Sequence, residues 1–423
     1  MRFRQWSVLY FEDAGQSVRF FLFFVIGSVL QDPLENFFMS VSVPFLDLSR
    51  HVSVLKDPIK EKLSSVVDSG IFVLGPEIDQ LEKRLAEYCG TAHAVACSSG
   101  SEALLMALMA LDLQPGDEVI VPSFTFFATA SAVARLGGTP VFADICPDTL
   151  NMDPDDAARK VTSRTRAILP VHLFGRSAEM ERLEEVANAH GLALVEDAAQ
   201  AIGAEAAWHG EMKRVGSMGE IGCFSFYPTK NLGTMGDGGA LTTNDPDIAK
   251  KLELIRGHGM APRYFHKILG INGRLDAFQG VVLNEKFPHL DTWTHDRQEI
   301  AKRYFELFAG RSELEGRLQL PMPEGEERCV WNQFCVCVSD TEDGHLRDRL
   351  MAFLAERKIG TMIYYPFGLH EQECFGYLGY APKDLPVTYR VSRSILALPI
   401  FPGLTLPEQE SVVEGVCEFF KEN

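Results

Sequence analysis

Four short segments of this chain carry residues whose types and spacing could do chemistry. In one, Ser225-Phe226-Tyr227-Pro228-Thr229-Lys230-Asn231-Leu232-Gly233 runs on to Gly236-Asp237-Gly238-Gly239-Ala240. A single lysine, Lys230, sits there in a glycine-flanked loop between two apolar β-type runs. A lysine that forms an imine must reach a carbonyl and lose its proton readily. The ordinary alternative is a solvated surface lysine. In Val195-Glu196-Asp197-Ala198-Ala199-Gln200, Asp197 falls just past an apolar strand, where open α/β sheets place their ligands. A carboxylate at that point can pair with a protonated ring nitrogen and keep the ring electron-accepting. It could equally cap a helix.

Cys97-Ser98-Ser99-Gly100-Ser101-Glu102-Ala103-Leu104 follows a strand-like run and opens a helix-like one. Unpaired N–H groups and the positive dipole end make such a start an anion site. Gly100 lets the backbone approach closely, and Ser101 adds a hydroxyl donor. A plain N-cap looks the same. In Gly270-Ile271-Asn272-Gly273-Arg274-Leu275-Asp276, Asn272 and Arg274 could bind phosphate or carboxylate, arginine in a bidentate fork. A loop with a helix cap is the plainer reading.

These segments need a scaffold that presents several strand ends together. Strands are expected at His93–Cys97, Glu118–Val121, Pro140–Ala143, Arg166–Val171, Leu192–Glu196, Gly222–Phe226 and Gly239–Thr243. Helices are expected between them at Glu102–Leu111, Thr125–Leu136 and Ala178–His190, and then at 247–256. Alternation of this kind predicts an α/β fold with a mostly parallel sheet, because parallel strands need crossovers that helices supply. Composition shifts near residue 290. Beyond it lie helical stretches at Arg297–Phe308, Leu346–Lys358 and Leu406–Phe420, with strands at Val330–Val338 and Gly360–Tyr364. The division expected is an extension at 1–38, a large domain at 39–290 and a small α+β domain at 291–423.

The chain has 423 residues, 46% of them hydrophobic, and a formal net charge of −18. That is enough apolar material for a large core. The acidity makes duplex nucleic acid and anionic membranes poor partners for the surface as a whole. Nine scattered cysteines form no C-x-x-C pair. Reduced thiols in a cytoplasmic protein are expected, with no disulfide framework and no metal site. Cys335 and Cys337 alternate in Phe-Cys-Val-Cys-Val and should share one strand face as packing residues.

An apolar run at Phe20–Leu30 follows Arg19. It is shorter than the ~20 residues of a membrane helix, and no small-x-small cleavage pattern follows it. A membrane anchor or signal segment is the competing reading. Met39 opens Ser-Val-Ser-Val-Pro-Phe-Leu-Asp-Leu, which resembles a natural protein start. A chain beginning at Met39 is therefore expected to remain soluble and active. Aggregation or loss of turnover would contradict that expectation.

Seven motifs in order resemble the DegT/StrS-type sugar aminotransferases, fold-type I pyridoxal-phosphate (PLP) enzymes. They are S-G-S-E-A-L, P-S-F-T-F-F-A-T, V-H-L-F-G, E-D-A-A-Q, S-F-Y-P-T-K-N-L-G, G-D-G-G-A and G-x-N-x-R-L-D. The likeness runs from about Val43 to the C-terminus. It implies a seven-stranded, mostly parallel sheet and a PLP cofactor carried by Lys230, which would also shuttle the substrate proton. Asp197 would bind the pyridine nitrogen and Gln200 the phenolic oxygen, with Phe126 stacked on the ring. Ser101, Glu102 and Ser225 would hold the phosphate. Asn272 would reach the phosphate bound by a second subunit, so a homodimer with shared sites is implied. His172 would lie near the cofactor without a defined role.

The resemblance further implies an amino acid donor, L-glutamate, and a nucleotide-linked keto-sugar acceptor for amino-sugar or surface-polysaccharide synthesis such as lipopolysaccharide. Relatives with His at the lysine position are dehydratases, so Lys230 favours transamination. His258-Gly259, Arg263-Tyr264-Phe265-His266 and Asn272-x-Arg274 are similar to enzymes that aminate C3 of UDP-linked uronic acids, in which Arg274 would face the sugar carboxylate. Val330-Trp331-Asn332-Gln333-Phe334 and Gly360-Thr361-Met362-Ile363-Tyr364-Tyr365-Pro366 also resemble the 3-amino group. Tyr364 stands where some relatives have His. Tyr365 would contact substrate, although Tyr365 and Trp331 could instead be core aromatics. A PLP sugar dehydratase, a 4-aminotransferase and a non-catalytic regulatory homologue are the alternatives.

Overall fold

The computed structural model describes residues 41–339 and 345–422. The extension at 1–38 lies outside the described residues. Seven strands form the central sheet: β1 His93–Cys97, β2 Glu118–Pro122, β3 Thr139–Ala143, β4 Thr165–Ile168, β5 Ala193–Asp197, then β8 Ile221–Ser225 and β9 Gly239–Thr243. Between β5 and β8 lies a two-stranded hairpin, β6 Glu205–Trp208 and β7 Glu211–Arg214. The sheet order is β1-β9-β8-β5-β4-β2-β3, and only β9 runs antiparallel to its neighbours. This is the α/β, mostly parallel seven-stranded sheet that the sequence predicts.

Side-chain alternation explains why these segments are strands. Ala96, Ile120, Ile168, Leu194, Phe224 and Ala240 enter one buried cluster, with Leu81 and Leu85 of helix Pro76–Cys89 and Leu183 of helix Met180–His190. Val95, Val119, Ala167, Val195, Cys223 and Leu241, each one residue away, enter another with Leu104 and Leu108 of helix Gly100–Ala110. Successive strand residues point to opposite faces, so apolar residues at both parities mean a sheet covered on both sides. Each valine, leucine, isoleucine and phenylalanine among them contributes about 1.5–3 kcal/mol on full burial.

A second sheet, β10 Leu318–Gln319, β11 Phe334–Val338 and β12 Ile395–Leu398, is antiparallel throughout. Phe334, Val336 and Val338 face a cluster with Leu350, Leu354, Val412, Val416 and Phe420. Cys335 and Cys337 share the opposite face. Helix Leu290–Phe308 begins in the first core at Leu290 and ends in this one at Tyr304 and Phe308. Val43 belongs to the second core too and pairs with Ile359.

Several boundaries differ from expectation, the helix expected at Arg297 starting at Leu290 and the strand expected to reach Val171 ending at Ile168, and in three further places a specific contact accounts for the difference. Gly360–Tyr364 is not a strand: only Met362 bonds Ala397, a single bridge beside β12. Strand β11 starts at Phe334, not Val330, because Val330 N–H and Asn332 N–H donate to Gly175 O and Phe174 O, both at 2.9 Å. Helix Ala128–Arg135 starts three residues after Thr125, behind a turn in which Thr129 N–H donates to Phe126 O.

Arg50 and Glu408 join distant parts of the chain by two hydrogen bonds, at 2.8 and 2.7 Å. Thr405 adds its N–H and hydroxyl, each at 2.8 Å. Led by the Arg50 bonds, these donors hold the Glu408 carboxyl at about 2, below its usual 4.5. A depressed carboxylate contributes stability above its unfolded value and loses it as pH falls through the folded one. Glu408→Gln should therefore cost about 1–3 kcal/mol near neutral pH and progressively less between pH 4.5 and 2, as read by urea unfolding across pH. An equal cost at pH 7 and pH 2 would contradict this assignment.

Candidate active site

The C-terminal ends of β1, β2, β5 and β8, with the segment after β4, converge on one edge of the sheet. They deliver Ser98–Ser101, Ser123–Phe126, Asp197, Ser225 and His172 respectively. Asp197 is 4% exposed and ends β5. Its Oδ2 accepts from the Thr129 hydroxyl at 2.8 Å and its Oδ1 from Ala199 N–H at 3.1 Å. Thr129 in turn lies 3.2 Å from the Thr125 hydroxyl. Burial pushes the Asp197 carboxyl above its ordinary value, while Thr129, Ala199, Lys230 and His172 pull it back. Two donors leave a carboxylate with unused acceptor capacity, so Asp197 can take one further proton-bearing partner.

Lys230 lies in the β8–β9 loop, its N–H donating to Tyr227 O at 2.9 Å. Among the described residues its ammonium has no hydrogen-bond partner. Surface area leaves it half-buried, yet protein surrounds the amine closely enough to lower its pKa to about 8, with Asp197 pulling the other way. Desolvation disfavours the charged form. At pH 7 roughly a tenth of such amines are neutral, against roughly 1 in 3,000 for an ordinary lysine. Lys230 and Asp197 thus lie close enough to feel each other's charge.

Helix Gly100–Ala110 starts beside that loop. Ser99 caps it: its hydroxyl accepts Glu102 N–H at 3.1 Å, and its carbonyl accepts Ala103 N–H at 2.9 Å. The N–H groups of Gly100 and Ser101 remain uncommitted among the described residues, at the positive end of an 11-residue helix. A Cβ on Gly100 would stand 2.5 Å from Ser225 Cβ, so only glycine lets the helix start meet the end of β8. Ser101 is exposed; Glu102 and Ser225 are half-buried. Glu102 also accepts from Arg135 at 3.3 Å.

Gln200 is 7% exposed. Its Oε1 accepts Phe174 N–H at 2.8 Å, and its Nε2 donates to the Tyr365 hydroxyl at 3.1 Å. The Tyr365 ring lies 6.4 Å from that of Phe126, which is 57% exposed. Tyr365 is thereby brought to the site. Trp331, by contrast, is 3% exposed and packs on Phe305 and Phe334, as a core aromatic.

His172 is wholly buried. Ala178 N–H donates to its Nδ1 at 3.0 Å, so Nε2 carries the hydrogen, 3.0 Å from Glu196 Oε2. Glu196 also accepts N–H groups of Gly216, Met218 and Gly219 at 2.7–2.8 Å. The pair is saturated and acts as a brace behind Asp197. Segment 272–276 joins the site through Ser98 N–H, which donates to Gly273 O at 3.0 Å. Asn272 is exposed. Arg274 is half-buried and has no acidic partner among the described residues.

Thr129 is the residue whose contact with Asp197 sequence reading does not supply. It lies inside P-S-F-T-F-F-A-T, but nothing in its spacing points to an aspartate 68 positions on.

This arrangement fits an aromatic aldehyde that also bears a ring nitrogen and a phosphate. A desolvated amine can bond the aldehyde, a buried carboxylate can meet the nitrogen, and an uncommitted helix start can take the phosphate. Apoprotein uptake of PLP should accelerate with pH, with a midpoint near 8 set by the Lys230 amine. A midpoint near 10.5 in stopped-flow absorbance would contradict that assignment.

Comparison with known proteins gives consistent findings. The model of the DegT/DnrJ/EryC1/StrS aminotransferase family matches residues 54–417. A pleiotropic regulatory protein of Geobacillus stearothermophilus is 44% identical, over 90% of this chain and 99% of its own. The dTDP-3-amino-3,4,6-trideoxy-α-D-glucose transaminase of Streptomyces venezuelae is 42% identical, over 89% and 96%. Among solved structures, S. venezuelae DesV in complex with a ketimine intermediate superposes with a TM-score of 0.84 at 40% identity, over 90% and 99%. NtdA of Bacillus subtilis, with bound cofactor PMP, gives 0.81 at 33%, over 90% and 85%.

Proposed function

Because this chain belongs to the DegT/DnrJ/EryC1/StrS aminotransferase family, we propose that it moves an amino group from L-glutamate to C3 of a nucleotide-linked keto-sugar. It is an aminotransferase and its cofactor is PLP. The observation that carries the reading is Lys230, a desolvated amine electrostatically coupled to buried Asp197.

When bound, PLP supplies an electron sink conjugated to the amino group in transit. This chain's residues do the rest. Lys230 Nζ would hold the cofactor at rest, move the donor's α-proton to the cofactor's former aldehyde carbon, and in the second half-reaction move a proton from that carbon to the former keto carbon of the sugar. Asp197 faces the ring nitrogen and favours its protonated form. The N–H groups at Gly100 and Ser101, with the first turn at Glu102 and the Ser225 hydroxyl, bind the phosphate. Phe126 covers the ring. The second Nε2 hydrogen of Gln200 is free for the phenolic oxygen while the first fixes Tyr365 at the sugar side.

Arg274, a half-buried guanidinium without an acid beside it, suits an anionic sugar such as a uronic acid. Exposed Asn272 serves the phosphate of a second copy, so the working unit is a homodimer. Ile71, Phe72 and Val73, at 44–48% exposure, offer apolar surface for that pairing. A cytoplasmic setting and a product used in surface polysaccharide, such as lipopolysaccharide, accord with this chemistry. Among the described residues no helix is long and apolar enough to cross a membrane.

The test is an amination screen. The holoenzyme, glutamate and a panel of UDP- and dTDP-linked 3-keto and 4-keto sugars, uronic acids included, are followed by mass spectrometry. A 3-amino product is expected. Dehydrated or 4-amino products would replace the reading with its enzymatic alternatives, and no product would favour the regulatory role that the relative from G. stearothermophilus bears in its name.

A further inference from the structure

Lys286 ends helix Ala277–Lys286 and is 5% exposed, a rare place for an ammonium. Among the described residues it has no carboxylate partner. Among those residues its ammonium donates only to the carbonyl of Gly233, at 2.5 Å. Burying a lysine charge without a counter-ion costs several kcal/mol, so an apolar residue would serve the core better. Burial alone brings its pKa down to about 8.

Gly233 belongs to the loop that carries Lys230. Several attachments besides Lys286 shape this loop, among them Gln279 of the same helix, whose Oε1 accepts Met235 N–H at 3.0 Å. Thr234 closes it on Phe226 O through its N–H at 2.8 Å and its hydroxyl at 2.6 Å. Asn231 Nδ2 donates to Val330 O at 2.8 Å, and Asn332 donates back to Asn231 Oδ1 at 2.8 Å. Gly233 itself is pressed against Pro228: a Cβ there would lie 2.5 Å from Pro228 O. The Asn231 and Thr234 attachments hold the loop's sides. Lys286 grips its far turn, three residues beyond Lys230.

We propose that Lys286 is a positioning residue for the transamination: its buried ammonium anchors the Gly233 carbonyl and thereby fixes where the Lys230 amine stands. The inference rests on Lys230 being the catalytic amine. A misplacement on the order of 1 Å at a reacting group can cost about 100-fold in rate, so one anchor can matter this far from the chemistry. Lys286 touches neither cofactor nor substrate in this account, and its effect must therefore show as altered Lys230 geometry, not as weaker substrate binding.

The experiment compares Lys286→Met, which keeps length and loses the donor, with Lys286→Arg, which keeps a donor. In the folded Met variant, kcat should fall about 10-fold or more in both half-reactions, with KM for glutamate and keto-sugar nearly unchanged. The pH midpoint of the bound cofactor's absorbance should also move, because it reports the setting of the Lys230 nitrogen. Lys286→Arg should recover most of both. Wild-type kcat and an unmoved midpoint in Lys286→Met would overturn the proposal. Loss of fold in both variants would overturn it as well, since Lys286 would then serve overall stability. Lys230→Ala is run in parallel: full activity there would defeat the catalytic reading itself, whereas an inactive Lys230→Ala beside a wild-type-like Lys286→Met defeats only the anchor.

Discussion

Lys230→Ala should lose transamination by about four orders of magnitude, the upper end of what one acid–base group supplies, while the protein still folds. Both halves of this expectation come from the site. The Lys230 side chain has no hydrogen-bond partner among the described residues, so its removal leaves no donor or acceptor stranded. The depressed ammonium pKa means that its charge opposes folding. The sign follows from linkage: a lysine lowered from 10.5 to about 8 costs stability as pH falls through that window, and the full cost persists below 8. With both proteins free of cofactor, Lys230→Ala should thus unfold at the same temperature as wild type or higher at pH 7. Absorbance of the covalently held cofactor should vanish. Near-normal turnover would remove the basis of the account, and a lower melting temperature would contradict the electrostatic part of it.

Asp197→Asn should lower kcat about 100- to 1,000-fold, the range found when one pre-organised electrostatic group is removed from a reacting centre. The substitution is conservative in shape. Asn Oδ1 can still accept Ala199 N–H, and the Thr129 hydroxyl can turn to accept from the new Nδ2. What disappears is the charge that favours a protonated ring nitrogen. KM for the keto-sugar should change little, since Asp197 faces the cofactor. A variant with unchanged kcat, or with its loss confined to KM, would show that Asp197 is only a buried cap.

The central sheet was legible because apolar residues occupy both parities of each strand while helices separate them. The site was legible where chemistry lies within one local motif. Asp197 ends a strand, Gly100 and Ser101 follow one within four residues, and Lys230 lies in the loop that joins two, and each of these is a local feature. Contacts made across the fold left no such trace. Thr129 meets Asp197 from 68 positions away, and Gln200 meets Tyr365 from 165. Lys286 reads as an unremarkable helix-end lysine until the fold buries it on Gly233. Residues 330–332 have strand-like composition, yet Phe174 and Gly175 claim their backbone first. The β6–β7 hairpin was missed because Glu205–Arg214 is half-exposed, and only Trp208 is buried within its two strands. Its pattern lacks the apolar faces that mark the central strands.

Borohydride reduction of the holoenzyme, followed by peptide mass mapping, tests the central claim most directly. The cofactor should be found fixed to the peptide containing Ser225–Gly233, on the side-chain nitrogen of Lys230. Attachment to any other lysine, or no attachment by an enzyme that still transfers amino groups, would contradict the account.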